Sequence, residues 1–205
     1  MEKIILTYIL ESPGPQDLCD NRTEGSSLLK SLDLFKIPYL YKLVVNKKIF
    51  FNSLNSKIIE QKFLDILLAN HSRYGNNKEE KELVLVLHFS SHGDENGLSL
   101  TNQESIKWEE LRDLIKPIND FISKHGQLII CMSSCKGFNA MKMQNGFDIP
   151  FTLLLGSTKN ILHNFRINKI LFNLNEINGI IFFCIMIVKG DMPCLTLREM
   201  KRLQR

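Results

Sequence analysis

The chain has 205 residues, of which 44% are hydrophobic and 23% charged, with a net charge of +4, and these values indicate one globular domain spanning 1–205. Its Lys and Arg residues are scattered, so the charge does not favour nucleic-acid binding. The five cysteines lack the even spacing of a disulfide framework. The N-terminus does not resemble a signal peptide, and the most apolar stretch, Ile180–Val188, is too short to cross a bilayer. We therefore expect a cytoplasmic protein with free thiols and with neither a nucleic-acid nor a membrane partner.

The first part of the chain predicts strands alternating with helices. Apolar runs favour strands, and apolar residues at helical spacing favour helices. The expected elements are a strand at Lys3–Leu10, a helix at Ser26–Phe35, a strand at Tyr39–Val45 and a helix at Ser53–Leu68. A ribbon continuing the second strand through Ile49 and Phe50 is left open, and the polar run Asn70–Lys81 is expected to be a loop.

The remainder continues this alternation around two nearly continuous apolar runs, which are typical of parallel strands buried on both faces. The expected elements are strands at Leu83–Phe89, Gln127–Met132 and Phe151–Leu155, a hairpin of Leu98–Leu100 with Ser105–Lys107, a helix at Trp108–Lys124, a short helix ending near Met143, and a terminal helix at Leu195–Arg205. For Lys169–Val188 a long buried helix is favoured over a helix followed by a strand. The pattern predicts an α/β fold, a doubly wound and mostly parallel sheet flanked by helices in three layers.

Two chemically reactive residues follow the two central strands. His92 comes after one strand and Cys135 after the next, and ligands and chemistry in such sheets gather at the carboxyl ends of the strands. A cysteine attacks as the thiolate, so it needs a base nearby. Gly93 would let the backbone approach a substrate carbonyl, and the amides of Gly93 and Cys135 could stabilise an oxyanion. The pattern indicates a Cys-His dyad.

The two segments resemble the histidine and cysteine strands of caspases. The first reads Leu-Val-Leu-Val-Leu-His-Phe-Ser-Ser-His-Gly over 83–93, and the second reads Gln-Leu-Ile-Ile-Cys-Met-Ser-Ser-Cys-Lys-Gly over 127–137. The wider resemblance is to the caspase-like clan, including CHAT peptidases. Phe151–Asn160 is similar to the next strand and loop of CHAT-type members, and Ile180–Val188 and Thr196–Met200 are similar to their closing helices.

The resemblance implies a thiol protease, a hydrolase that cleaves peptide bonds in protein substrates. It implies His92 as the base and Gly93 and Cys135 as donors of oxyanion amides, with no metal or organic cofactor. Ser133 stands where caspases carry Gln and metacaspases Asp, and Ser134 replaces the usual Ala, so the cleavage specificity stays open. Ser133, Ser134 and Asp94 are candidate substrate-binding residues.

The family likeness also bears on regulation and on biological role. The segment Lys136–Pro150 is too short for the excised linker of animal caspases, so we expect activity as an uncut chain, with activation by a protein partner or by homodimerisation. Related stand-alone domains often serve in cell death or defence. The alternative is a caspase-like scaffold of little or no activity that binds a protein partner.

The sequence also contains weaker patterns for a zinc site and for a phosphate-binding loop. His88, His92, Cys131 and Cys135 form a candidate zinc set, but four residues of strand advance about 13 Å, which one ion cannot bridge. His88 is interpreted instead as a core or helix-facing histidine whose ring is satisfied by hydrogen bonds, and Cys131 as inert core. The run Gly156–Lys159 lacks the full phosphate-loop pattern.

Overall fold

A seven-stranded sheet forms the centre of the part of the protein that the structure describes. The computed structural model describes residues 3–14, 24–35, 37–62, 64–65 and 82–156. The strands are β1 (Lys3–Ser12), β2 (Tyr39–Leu43), β3 (Glu82–Gly93), β4 (Gly97–Ser99), β5 (Ser105–Lys107), β6 (Gly126–Ser133) and β7 (Leu153–Gly156). The helices are α1 (Glu24–Phe35), α2 (Lys47–Ser53), α3 (56–62 and 64–65), α4 (Trp108–Ile122) and a 3-10 helix (Gly137–Met143).

The main part of the sheet is entirely parallel, in the order β2-β1-β3-β6-β7. The hairpin of β4 and β5 is antiparallel and attaches to the carboxyl end of β3. From β1 the chain proceeds to β2 on one side, whereas from β3 it proceeds through the hairpin and α4 to β6 on the other side. This reversal of direction places the topological switch point of the sheet at the carboxyl ends of β1 and β3, where ligands of such sheets generally bind. The predicted doubly wound α/β fold is confirmed.

Helices cover both faces of the sheet. On one face, here called the α4 face, the alternate residues Leu85, Leu87 and Phe89 of β3 join a core with buried residues of α2, α3 and α4. On the opposite face, here called the α1 face, Ile9 of β1 packs against Leu28 and Leu32 of α1. Alternate residues of β3 and β6 form a further buried cluster on the α1 face, comprising Val84, Val86, Ile129 and Cys131. The prediction that these two strands are buried on both faces is confirmed.

The segment after β2 differs from the prediction. The chain forms α2 over Lys47–Ser53, where the sequence also allows a ribbon through Ile49 and Phe50, and the helix expected from Ser53 begins at residue 56. Asparagine side chains cause both changes: Asn46 Oδ1 accepts from the amide of Ile49 at 2.9 Å and starts α2, and Asn55 Oδ1 accepts from the amide of Lys57 at 3.1 Å. These local bonds replace the strand pairing that the ribbon would have required.

The strand β3 is longer than predicted. It was expected to end at Phe89, but it continues to Gly93 because β4 supplies a new partner for His92 and Gly93. The hairpin, α4, β6, the 3-10 helix and β7 lie close to their predicted positions. Of the helices in the described ranges, none is both long enough and apolar enough to cross a membrane. The predictions for the loop 70–81, for the closing helices and for all else beyond residue 156 lie outside the described residues.

His88 lies in the core of the α1 face, 1% exposed. The interpretation that its ring is satisfied by hydrogen bonds is wrong: within the described part of the chain, neither Nδ1 nor Nε2 has a hydrogen-bond partner. Its register neighbours are Ile9 on β1 and Cys131 on β6. Burial lowers the pKa of His88 from 6.5 to about 4, because charging the ring there removes it from water.

This burial predicts a stability that depends on pH. Above pH 6.5 His88 is neutral in both states, but below it the unfolded chain binds a proton that the folded chain resists, so stability falls as the pH drops towards 4. Between these values wild type should lose about 3 kcal/mol of unfolding free energy beyond what His88→Leu loses. Urea unfolding across this pH range measures the difference, with His125→Gln, which alters an exposed histidine, as the control. Parallel curves for wild type and His88→Leu would contradict the prediction.

Candidate active site

The pairing of β3 with β6 brings the two candidate catalytic residues to neighbouring strand ends. The parallel register sets Ser90 opposite Ser133. His92 lies two residues beyond Ser90, and Cys135 lies two residues beyond Ser133. Because side chains alternate along a strand, His92 belongs to the α1 face together with Ser90. The predicted placement of His92 and Cys135 at adjacent carboxyl ends is confirmed.

The backbones of the two segments approach closely at Gly93. A Cβ atom at Gly93 would lie 3.1 Å from the carbonyl oxygen of Cys135 and 3.2 Å from both Cβ and Oγ of Ser134. The missing side chain therefore lets the segment that carries Cys135 lie directly against β3. His92 is exposed to solvent and Cys135 is half-buried, so both can be reached from outside.

The chain turns sharply just after Cys135. Lys136 has φ 54° and ψ 25°, the left-handed conformation that L-residues rarely adopt. Gly137 then starts the 3-10 helix, and a Cβ atom there would lie 2.7 Å from Cβ of Met132 and 2.9 Å from Oγ of Ser134. The turn thus packs back on the end of β6, which explains why a glycine stands two residues after the cysteine.

The three candidate substrate-binding residues do not share one surface. Ser133 continues the α1 face of β6, whereas Ser134 Oγ lies where Cβ atoms added at Gly93 and Gly137 would meet it, at 3.2 Å and 2.9 Å. Ser134 is 1% exposed, and its hydroxyl has no hydrogen-bond partner among the described residues. Asp94 is exposed, and its Oδ1 accepts from the amides of Asn96 at 2.6 Å and Gly97 at 3.1 Å. Asp94 therefore closes the turn between β3 and β4, and Ser133 is the member of the three on the face of His92.

An ion pair joins the turn after His92 to the turn after Cys135. Lys136 Nζ lies 2.8 Å from Glu95 Oε1. The hydrogen bond from Lys136 holds the pKa of Glu95 below its ordinary value, and the same bond raises the pKa of Lys136. Both groups are therefore charged at neutral pH.

A buried acid that the sequence reasoning did not select lies at the same edge. Glu11, near the end of β1, is 1% exposed and pairs in register with Ser90. The hydroxyl of Tyr41 on β2 donates to Glu11 Oε2 at 2.6 Å. Burial and this carboxylate raise the pKa of Tyr41. An acidic residue ending an otherwise apolar strand was a signal in the sequence that could have identified this position.

The zinc hypothesis can be compared with the same geometry. His88 on β3 and Cys131 on β6 are paired in register. His92 and Cys135 each lie four residues further along the same two segments. Within the ranges that the structure describes, no three His, Cys, Asp or Glu side chains converge as a metal site would require.

The close approach at Gly93 gives a test of the site. In Gly93→Ala the new methyl group would press on Cys135 and Ser134, so we expect a loss of about 1–3 kcal/mol of unfolding free energy and faster alkylation of Cys135 by iodoacetamide. Gly146→Ala is the control: a methyl group there meets nothing within 4 Å, and its cost arises from the left-handed backbone at φ 61°. Peptide mapping by mass spectrometry measures alkylation. Equal alkylation of Cys135 in both variants would show that Gly93 does not hold the segment.

The chain was also compared with known proteins. No protein-family model matches it, and neither a curated protein nor a solved structure matches it.

Proposed function

We propose that this protein is a cysteine endopeptidase of the caspase-like type, which cleaves peptide bonds in protein substrates with Cys135 as nucleophile and His92 as base. One observation carries the proposal. The parallel register of β3 and β6 sets these two residues at adjacent strand ends, with Cys135 held directly against Gly93. The resemblance of both segments to caspase strands supports the same assignment.

The proposed reaction has two stages. Cys135 Sγ attacks the scissile carbonyl, while His92 accepts the thiol proton and then delivers it to the departing amine. A water molecule, deprotonated by His92, next hydrolyses the acyl-enzyme and releases the acid product together with the free thiol. The backbone amides of Gly93 and Cys135 are assigned to the oxyanion that forms in each stage. This chemistry needs no metal or organic cofactor.

The exposed apolar side chains after Cys135 favour contact with a protein. Phe138 is 43% exposed, Phe147 is fully exposed and Ile149 is 43% exposed. Asp148, between the last two, is held by ion pairs with Arg112 and Lys116 of α4, so this segment is anchored. Exposed apolar groups of this kind are typical of interaction sites. They support an activating partner or homodimer, and equally the alternative function of a scaffold that binds a protein and cuts little.

Labelling by a peptidyl electrophile, blocked by prior alkylation, distinguishes an enzyme from a scaffold.

The assignment of the nucleophile gives the first activity prediction. Cys135→Ala should lower kcat/KM for a protein substrate on the order of 10⁴-fold or more, because no other group replaces the attacking sulfur. Cys131→Ala is the matched control, since this cysteine lies buried within β6 and should retain most activity. Assays of a proteome digest and of peptides selected from it measure both. Substantial turnover by Cys135→Ala would remove the cysteine from the mechanism.

The role of His92 as the base gives the second activity prediction. His92→Ala should lose about 10²- to 10⁴-fold in kcat/KM, the usual contribution of a positioned base. Cys135 should still react slowly with iodoacetamide in this variant, because the thiol stays half-buried at the same strand end. His125→Gln, at an exposed site after α4, is the control. A His92→Ala enzyme that keeps more than roughly a tenth of wild-type kcat/KM, about 1.4 kcal/mol of barrier, would exclude His92 as the base.

A further inference from the structure

The turn between β3 and β4 is fixed to the body of the protein through Glu95. The carbonyl oxygen of Glu95 accepts a hydrogen bond from Nε1 of Trp108 at 3.1 Å and another from Nζ of Lys142 at 2.6 Å. Trp108 is the first residue of α4 and is 1% exposed. The position of Glu95 is therefore set by the core beneath it, and Lys142 ties the same residue to the 3-10 helix after Cys135.

Lys136, the residue directly after Cys135, reaches this fixed turn with its side chain. Its backbone holds the left-handed conformation that glycine adopts most easily, yet the position carries a long cationic side chain. The ammonium contacts the carboxylate of Glu95, a residue 41 positions earlier in the sequence. A glycine would suit this backbone better but could not make the contact with Glu95, which the lysine makes.

We propose that Lys136 is a positioning residue, and that its ion pair with Glu95 sets the location of the Cys135 thiol relative to His92. This inference rests on the peptidase function proposed above. The pair links the residue after Cys135 to a turn that begins directly after β3, so it closes a short loop of contacts around both reacting groups.

The ion pair between Lys136 and Glu95 should affect catalysis much more than it affects the stability of the fold. The pair is partly exposed, with side-chain exposures of 35% for Lys136 and 65% for Glu95, and such pairs contribute little to the stability of a fold. Catalysis is far more sensitive to position, since a displacement of about 1 Å can cost about 10²-fold in rate. A positioning role therefore predicts a large change in kcat with little change in melting temperature or KM.

The experiment uses the full chain and four variants. Lys136→Met and Glu95→Gln each remove one charge, and the double variant Lys136→Glu with Glu95→Lys exchanges the two. Lys47→Met is the matched control, because Lys47 has the same 35% exposure and pairs with Glu110 at 2.9 Å, away from the candidate site. For each protein, kcat, KM, melting temperature and the rate of Cys135 alkylation by iodoacetamide are measured.

The single variants are expected to lose about tenfold to a hundredfold in kcat with KM nearly unchanged, and the exchanged pair to recover most of it. All four should melt close to wild type. Wild-type kcat in the single variants, or an exchanged pair no better than either, would overturn the positioning role while leaving the peptidase function intact. A melting temperature of Lys136→Met far below that of Lys47→Met would also overturn the positioning role.

A wild type that hydrolyses no substrate would instead refute the proposed function, and alkylation would then decide the positioning role. Cys135 should react at a different rate in both single variants and return towards the wild-type rate in the exchanged pair. Equal rates in all five proteins would overturn the inference.

Discussion

The structure depends on the register of β3 against β6. Both strands are buried on both faces, so a slip of one residue would move every side chain to the opposite face. Leu87 and Phe89 would then leave the core that they share with α4, and His88 would enter it. The cost of such a rearrangement fixes the register. His92 and Cys135 lie two residues beyond Ser90 and Ser133, which are paired in this register. The packing of the core therefore determines where the proposed chemistry takes place.

The backbone, more than the side chains, positions the candidate site. The segment of Cys135 lies close against β3 because Gly93 has no side chain that would crowd it. The ion pair between Lys136 and Glu95 lies at the surface, where water screens its contribution to the stability of the fold. Glu11, a buried acid near the end of β1, lies at the same edge of the sheet. Rigid strands thus supply the general position, and turns supply the fine adjustment.

Much of this arrangement was predictable from the amino-acid sequence. The apolar runs that became β3 and β6 are long and sharply ended, and His92 and Cys135 stand where they end. The start of α2 was missed because one hydrogen bond from Asn46 decides it, and such a bond is not visible in hydrophobic periodicity. The state of His88 was also missed, since its partners depend on how neighbouring strands pack. The contact between Glu95 and Lys136 joins residues 41 positions apart, and no local pattern encodes it.

The strand β3 belongs to two systems of pairing at once. Up to Ser90 it is held on both edges, by β1 and by β6, whereas at His92 and Gly93 it pairs with β4 of the hairpin. His92 is thus the residue at which β3 passes from the parallel sheet to the antiparallel hairpin, and Leu98 and Ile106 of the hairpin are buried in the core. The hairpin therefore completes the core and holds the end of β3 at the same time. Shortening it would uncover apolar side chains and release the histidine together.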